Sequence, residues 1–97
     1  MGDSRPITIQ EAFEAFHQEH PEVLLYLVNY SFELLRKGFA YYGIKSIYER
    51  VRWHIQVEKG DREFKLPNNF HSRYARLIMR LYPELEGFFK LCSLRTE

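Results

Sequence analysis

The sequence predicts an all-α fold, a compact single-domain bundle of about four to five helices. Apolar residues recur at helical spacing through most of the chain, and prolines and glycines stand where these runs stop. The 97 residues include 45% hydrophobic and 16% aromatic side chains, which is enough for one packed core. No linker, repeat or low-complexity segment divides the chain. We therefore expect one domain over residues 1–97, with loose ends at 1–6 and 93–97.

The first predicted helix spans residues 9–19. Thr8 and Glu11 have the spacing of a capping box, in which each side chain accepts a hydrogen bond from the other residue's backbone N–H group. Pro21 limits the helix on the other side, because a residue that precedes proline avoids helical backbone angles.

Pro21 also opens the second predicted helix, over residues 21–37, since proline suits the first helical position. Gly38 follows as the residue that can adopt the left-handed conformation of a C-terminal cap. The apolar residues of this segment lie nearly all round the helix axis. This pattern predicts the central, most buried element of the bundle.

Residues 44–57 carry two overlapping patterns. Ile44, Val51 and Ile55 recur at helical spacing, which favours a third helix. Apolar residues also alternate from Val51 onward, which allows a short β-hairpin over residues 51–66. We favour the helix and keep the hairpin as the alternative.

A fourth helix is predicted over residues 68–82, with Asn68 or Asn69 as its N-cap and Pro83 after its end. A short helix at 84–91 is expected to follow. At about 100° per residue, one side of the fourth helix is apolar, and the other carries a polar stripe within an arc of about 60°. That stripe consists of Asn69, Arg73, Arg76 and Arg80.

The polar stripe is the strongest functional signal in the chain, because no acidic residue occurs between residues 64 and 83. Arginine binds phosphate and carboxylate groups through paired N–H donors, and a helix N-terminus adds partial positive charge. The sequence therefore predicts an anion-binding surface, with nucleic acid as the favoured ligand. The candidate binding residues are Lys65, Asn69, Arg73, Arg76 and Arg80, flanked by Lys45, Arg50 and Arg52.

The charge distribution allows another interpretation of the stripe. Residues 1–33 have six acids and one base, a net charge of −5, whereas residues 34–97 have a net charge of +6. The arginines could therefore pair with the acids of the first helix instead of with a ligand. The acids in question are Glu11, Glu14 and Glu19.

The third and fourth helices also allow a helix-turn-helix interpretation, in which Asn69 and Arg73 would read base edges. The predicted connection of about ten residues is longer than the usual turn of three or four residues. This interpretation therefore stays an alternative within the helical fold.

No motif for catalysis, a cofactor or a metal stands out. His17 and His20 lie three residues apart but lack a third ligand, so we expect a solvent-exposed pair and no zinc site. Cys92 is the single cysteine, which excludes an internal disulfide and fits a reducing compartment. Neither a signal peptide nor a membrane-spanning segment is evident, so we expect a cytoplasmic protein without a membrane partner.

The part of the sequence from residue 42 onward contains four short motifs, Phe64-Lys65, Asn68-Asn69, Tyr74-Ala75-Arg76 and Gly87-Phe88-Phe89. In these motifs it resembles a small family found in phage and prophage genomes. An arginine that the family pattern places after the two phenylalanines is replaced here by Lys90 or Leu91. The resemblance implies a mobile element in a bacterial host, where small helical proteins often bind nucleic acid or inhibit a host protein. It implies no particular activity.

The sequence as a whole predicts a non-enzymatic protein that binds DNA or RNA through residues 68–80. A second hypothesis is a protein-interaction module that binds an acidic surface of a host factor. A third is a homodimer that buries aromatic side chains, because large exposed apolar patches mark interfaces. The aromatic residues of that third hypothesis are Phe39, Tyr41, Tyr42, Phe88 and Phe89.

Overall fold

The computed structural model of the protein describes residues 7–90, with Lys90 described in its backbone only. Four α-helices dominate, as predicted. They are α1 (Ile9–Glu19), α2 (Pro21–Arg36), α3 (Ile44–Trp53) and α4 (His71–Leu81). Two short strands, β1 (Tyr42–Gly43) and β2 (Phe89–Lys90), pair in parallel. The expectations for residues 1–6, 93–97 and Cys92 lie outside the described residues.

The boundaries of α1 follow the predicted capping box. The Glu11 backbone N–H donates to the Thr8 hydroxyl at 3.1 Å, and the Thr8 N–H donates to the Glu11 carboxylate at 3.0 Å. Pro21 occupies the first position of α2, so the two helices are separated by His20 alone. The sequence prediction of this junction is confirmed.

Helix α2 ends in the predicted glycine cap. Gly38 has a φ of 99°, its N–H donates to the Leu35 carbonyl, and the Phe39 N–H donates to the Leu34 carbonyl. These two bonds form a Schellman motif. The prediction that α2 is the most buried element is wrong, because Leu25 is 56% exposed and four of the 16 residues of α2 are buried, against four of the 10 residues of α3. The buried side chains of α2 lie along one stripe and are Val23, Leu27, Val28 and Ser31.

Helix α3 continues into a π-helical segment, His54–Glu58, and the hairpin alternative over residues 51–66 is wrong. Val51 and Ile55 are buried, whereas Trp53 is 50% and Val57 is 56% exposed. The helical spacing therefore identified the core side, and the apolar alternation did not. Residues 59–67 connect this segment to α4 without the tight turn of a helix-turn-helix motif.

Helix α4 is preceded by one 3₁₀ turn, Asn68–Phe70, and ends before Pro83, close to the predicted limits. No asparagine side chain caps the helix. The short helix expected at 84–91 is wrong, since only Pro83–Leu85 forms a 3₁₀ turn. Gly87, with a φ of 79°, then redirects the chain into β2.

The core lies where all four helices meet. Helix α3 packs against both α2 and α4, and α1 covers α4 through aromatic contacts. The ring of Phe13 lies 4.8 Å from Tyr74, and the ring of Phe16 lies 5.6 Å from Phe70. Both contacts connect α1 to residues 70–74, at the N-terminal end of α4. This pairing positions the arginine face of α4 beside α1.

Candidate binding groove

An open groove of about 930 Å³ lies between α1 and α4, and we call it the α1–α4 groove. Three of the predicted binding residues, Arg73, Arg76 and Arg80, line its α4 side. The opposite, core-facing side of α4 buries Tyr74, Ala75 and Ile78. The amphipathic pattern of the sequence therefore brings these three arginines together as predicted.

The other residues of the groove are contributed mainly by α1, and they mix apolar and polar groups. Ala12, Ala15 and Leu77 supply small or aliphatic surface. The polar and acidic members on α1 are Gln10, Glu11, Glu14, His17 and Gln18. The groove is thus basic along α4 and acidic along part of α1, with apolar surface among them.

The neutral side chain of Gln10 connects the basic α4 side of the groove to the acidic α1 side. The Arg73 Nε–H group donates to the Gln10 side-chain oxygen at 3.1 Å, and the Gln10 amide donates to the Glu14 carboxylate at 2.9 Å. Within residues 7–90, no ion pair joins Arg73 or Arg80 to an acid of α1. At Arg73, the predicted arginine–glutamate pairing takes the form of a bridge through Gln10.

The arginines differ in their exposure along the groove. Arg73 and Arg76 are half-buried, whereas Arg80 is exposed and makes no hydrogen bond or ion pair with any described residue. Exposed guanidinium groups are available to a ligand without first breaking contacts inside the protein. Arg80 is therefore the most accessible arginine of the groove.

Two predicted binding residues lie outside the groove. Lys65 and Asn69 are exposed near the N-terminal end of α4 and do not line the α1–α4 groove. The Asn68 side chain, which could have capped α4, instead accepts a hydrogen bond from Arg52 at 2.6 Å.

The flanking residues of α3 also lie apart from the groove. Lys45 is exposed on the first turn of that helix. The Arg50 guanidinium lies 5.1 Å from the ring centre of Tyr30 and 5.2 Å from that of Trp53. It also pairs with Glu58 at 3.4 Å. Arg50 is therefore held by cation–π and ionic contacts on the α2–α3 side of the molecule.

Arg52 is the most constrained of the predicted binding residues. Its guanidinium donates to the Leu66 carbonyl, to Asn68 and to Glu49, and its side chain is only 20% exposed. These bonds tie α3 to the segment that leads into α4. The side chain is consequently occupied by contacts that maintain the fold.

Comparison with known proteins does not assign the groove a function. A scan against protein-family models, a search of curated proteins and a search of solved structures found no match to this chain. Among residues 7–90, no group of three or more His, Cys, Asp or Glu side chains could hold a metal ion. No helix in that part of the chain is long and apolar enough to cross a membrane.

The two histidines expected to be exposed are half-buried instead. The His17 ring stacks on Phe13 with centres 6.2 Å apart, and the His20 ring meets Phe64 edge-on at 5.3 Å. Both rings thus join the aromatic contacts of the core.

The aromatic patch proposed for a homodimer is also smaller than expected. Phe88 and Phe89 are 2% and 6% exposed, so both of these adjacent phenylalanines reach the core. Phe39 and Tyr41 remain exposed, at 44% and 56%. The predicted dimer surface therefore loses its two C-terminal members.

The groove residues on α1 could not be identified from the sequence. Gln10, Ala12 and Ala15 carry no binding motif, and they become groove residues only because α1 packs beside α4. The one available signal was the acidic character of α1, which complements the arginines of α4.

Proposed function

We propose that this protein is a non-enzymatic binding module whose α1–α4 groove receives an acidic segment of a protein partner. The observation that supports the proposal is the combination, in one groove, of three arginines with apolar lining residues. Arginine is enriched in protein interfaces because its donors and its alkyl stem both contribute to contact. Carboxylate groups are the protein ligands that these guanidinium groups bind best.

The shape and charge of the groove favour a protein segment over a DNA duplex. A recognition helix enters the major groove of DNA with an open outer face, whereas α4 is flanked by α1, and Gln10 holds Arg73. Glu14 lies on the same surface and would repel phosphates. Apolar groove members such as Ala12 and Leu77 suit amino-acid side chains better than a sugar-phosphate backbone.

Nucleic-acid binding remains the second candidate, because several basic or polar side chains around α4 are exposed. Lys65, Asn69 and Arg80 all face solvent, and Lys45 adds a cation on α3. These side chains could contact phosphates along a strand without any ligand entering the groove. The resemblance to a phage and prophage family fits either partner, a nucleic acid or a protein of the bacterial host.

Selection from a displayed library of random peptides tests the proposal. We expect enrichment of peptides that combine Asp or Glu with apolar residues, and binding at least about tenfold weaker to Arg80→Glu, since charge reversal opposes a carboxylate partner. Lys45→Glu is the matched control, with the same charge change outside the groove. It should bind the selected peptides like the natural sequence. Failure to enrich acidic peptides would overturn the proposal.

The same two variants distinguish nucleic acid from protein. Random-sequence duplex and single-stranded oligonucleotides should not bind detectably at physiological salt if the groove serves a protein. Under the nucleic-acid alternative, log K falls against log salt with a slope of roughly −3 to −4 for four phosphate contacts. Lys45→Glu would then weaken binding together with Arg80→Glu, a result that contradicts the groove proposal.

A further inference from the structure

We infer that the segment received by the α1–α4 groove is an amphipathic α-helix, with an acidic edge against α4 and a basic edge against α1. This inference rests on the proposed function and specifies the chemistry of the partner. It is drawn from the spacing of the arginines, the small side chains of α1 and the position of Glu14.

The spacing of the arginines fits a helix. Arg73, Arg76 and Arg80 lie three and four residues apart on one face of α4, which spans about 10 Å at about 1.5 Å per residue. A partner helix that lies alongside α4 presents carboxylates with the same rise when its acids are three and four residues apart. An extended strand advances about 3.3 Å per residue, so carboxylates on one face of a strand would not stay opposite successive arginines of α4.

The α1 side of the groove allows the partner helix to approach closely. Ala12 and Ala15 are three residues apart on α1, so they lie on the same side of that helix, and both line the groove. Packed helices lie about 8–10 Å apart, and the separation depends on the side chains at the contact. Small side chains here leave room for aliphatic residues of a partner helix to fill the groove.

The charges of the groove give the two edges of the partner helix different preferences. Arg80 on α4 attracts a carboxylate on one edge. Glu14 on α1 attracts a lysine or arginine on the other edge. Among the described residues, its carboxylate accepts a hydrogen bond only from the Gln10 amide. A helix bound in the opposite chain direction would exchange these edges and place like charges together, which disfavours binding. The bound helix therefore has one chain direction in the groove.

Three peptides of identical composition test the inference by fluorescence anisotropy. The first places Glu at positions three and four apart on one edge of a Leu/Ala stripe and Lys on the other edge. The second alternates Glu and Lys along both edges, so that neither edge is acidic in either chain direction. The third keeps the composition but spaces the acids two residues apart, as on one face of a strand.

We expect the first peptide to bind at least about tenfold more tightly than the second and the third. Reversing one pair, with Arg80→Glu in the protein and the opposing Glu→Lys in the peptide, should restore binding that either change alone weakens. Equal binding of the first and second peptides, or tighter binding of the third, would overturn the helical inference while leaving the acidic partner of the proposed function intact. Failure of every acidic peptide, including those from the library, would instead remove the proposed function itself.

Discussion

Helices α3 and α4 carry the same residue type in two different roles. Arg52 of α3 donates to a backbone carbonyl and to two side chains and is only 20% exposed. Arg80 of α4 is exposed and bonds to no described residue. Both arginines lie on the polar side of an amphipathic helix, so periodicity alone treats them alike. The difference shows that a polar helix face becomes structural where another chain segment crosses it.

The segment that crosses α3 is residues 64–68, which run back along this helix before α4 begins. Gln56 donates to the Phe64 carbonyl at 2.7 Å, and Arg52 bonds to the Leu66 carbonyl and the Asn68 side chain. Side chains of α3 thereby satisfy polar groups of a segment that forms no regular secondary structure before residue 68. No equivalent segment among the described residues crosses the outer face of α4, which leaves its arginines beside the α1–α4 groove.

Among the variants that test the difference between Arg52 and Arg80, we expect Arg52→Ala to lose the most stability. The substitution removes charge-assisted hydrogen bonds to two acceptors on the 64–68 segment and leaves the Leu66 carbonyl without its side-chain donor. We expect a loss of about 2–3 kcal/mol in the free energy of unfolding. Urea denaturation followed by circular dichroism measures it.

Two controls accompany this variant. Arg52→Lys should recover only part of the loss, because an ammonium group cannot reproduce the planar donor pair. Arg80→Ala should stay within about 0.5 kcal/mol of the natural sequence. Equal destabilisation by Arg52→Ala and Arg80→Ala would contradict the division between a structural and an accessible arginine.

Two buried tyrosines extend the comparison to uncharged groups. Tyr48 of α3 and Tyr74 of α4 have ring centres 6.2 Å apart, and burial raises the pKa of both hydroxyls. The Tyr48 hydroxyl donates to the Pro67 carbonyl, whereas the Tyr74 hydroxyl has no hydrogen-bond partner among the described residues. Tyr48→Phe should therefore destabilise the protein by about 1 kcal/mol, and Tyr74→Phe should be neutral or stabilising.

Thermal and urea unfolding of the two Phe variants measure this difference, with each serving as the control for the other. Both substitutions keep the ring and remove one oxygen, so packing changes are matched. A larger loss for Tyr74→Phe than for Tyr48→Phe would show that the Tyr74 hydroxyl is paired in solution.

The smallest effect concerns the acid dependence of the π-helical segment after α3. A hydrogen bond from His54, with a smaller contribution from Arg50, lowers the pKa of Glu58 below its usual 4.5. A carboxyl with a lowered folded-state pKa contributes stability above its unfolded pKa and loses that contribution as pH falls through the folded value. We expect Glu58→Gln to reduce the loss of melting temperature on acidification below about pH 4.5. Because Glu58 is on the surface, this change should be smaller than that of Tyr48→Phe.

Glu84→Gln is the control, because Glu84 is exposed and its side chain makes no hydrogen bond or ion pair with the described residues. It should leave the acid dependence close to that of the natural sequence. An identical response of the two variants would show that the contacts of Glu58 with His54 and Arg50 contribute nothing in solution.

Much of the helical architecture could be predicted because its signals are local. The Thr8–Glu11 capping box, Pro21 and Gly38 each act within a few residues, and α1 and the start of α2 lie where these signals place them. Residues 86–90 could not be predicted in the same way. Phe89 enters β2, and the Phe88 carbonyl accepts a hydrogen bond from the Tyr42 N–H, because β1 offers a pairing edge that nothing near them in the sequence reveals.

The same distinction between local signals and long-range contacts applies to the candidate site. The sequence by itself determined that Arg73, Arg76 and Arg80 share one face of α4, because helical periodicity is a property of neighbouring residues. Only the tertiary structure decided that α1 lies alongside this face, that Gln10 bridges Arg73 to Glu14, and that Arg52 belongs to the fold. Those outcomes depend on contacts between residues far apart in the chain, which are selected by how the whole core packs and not by any local pattern.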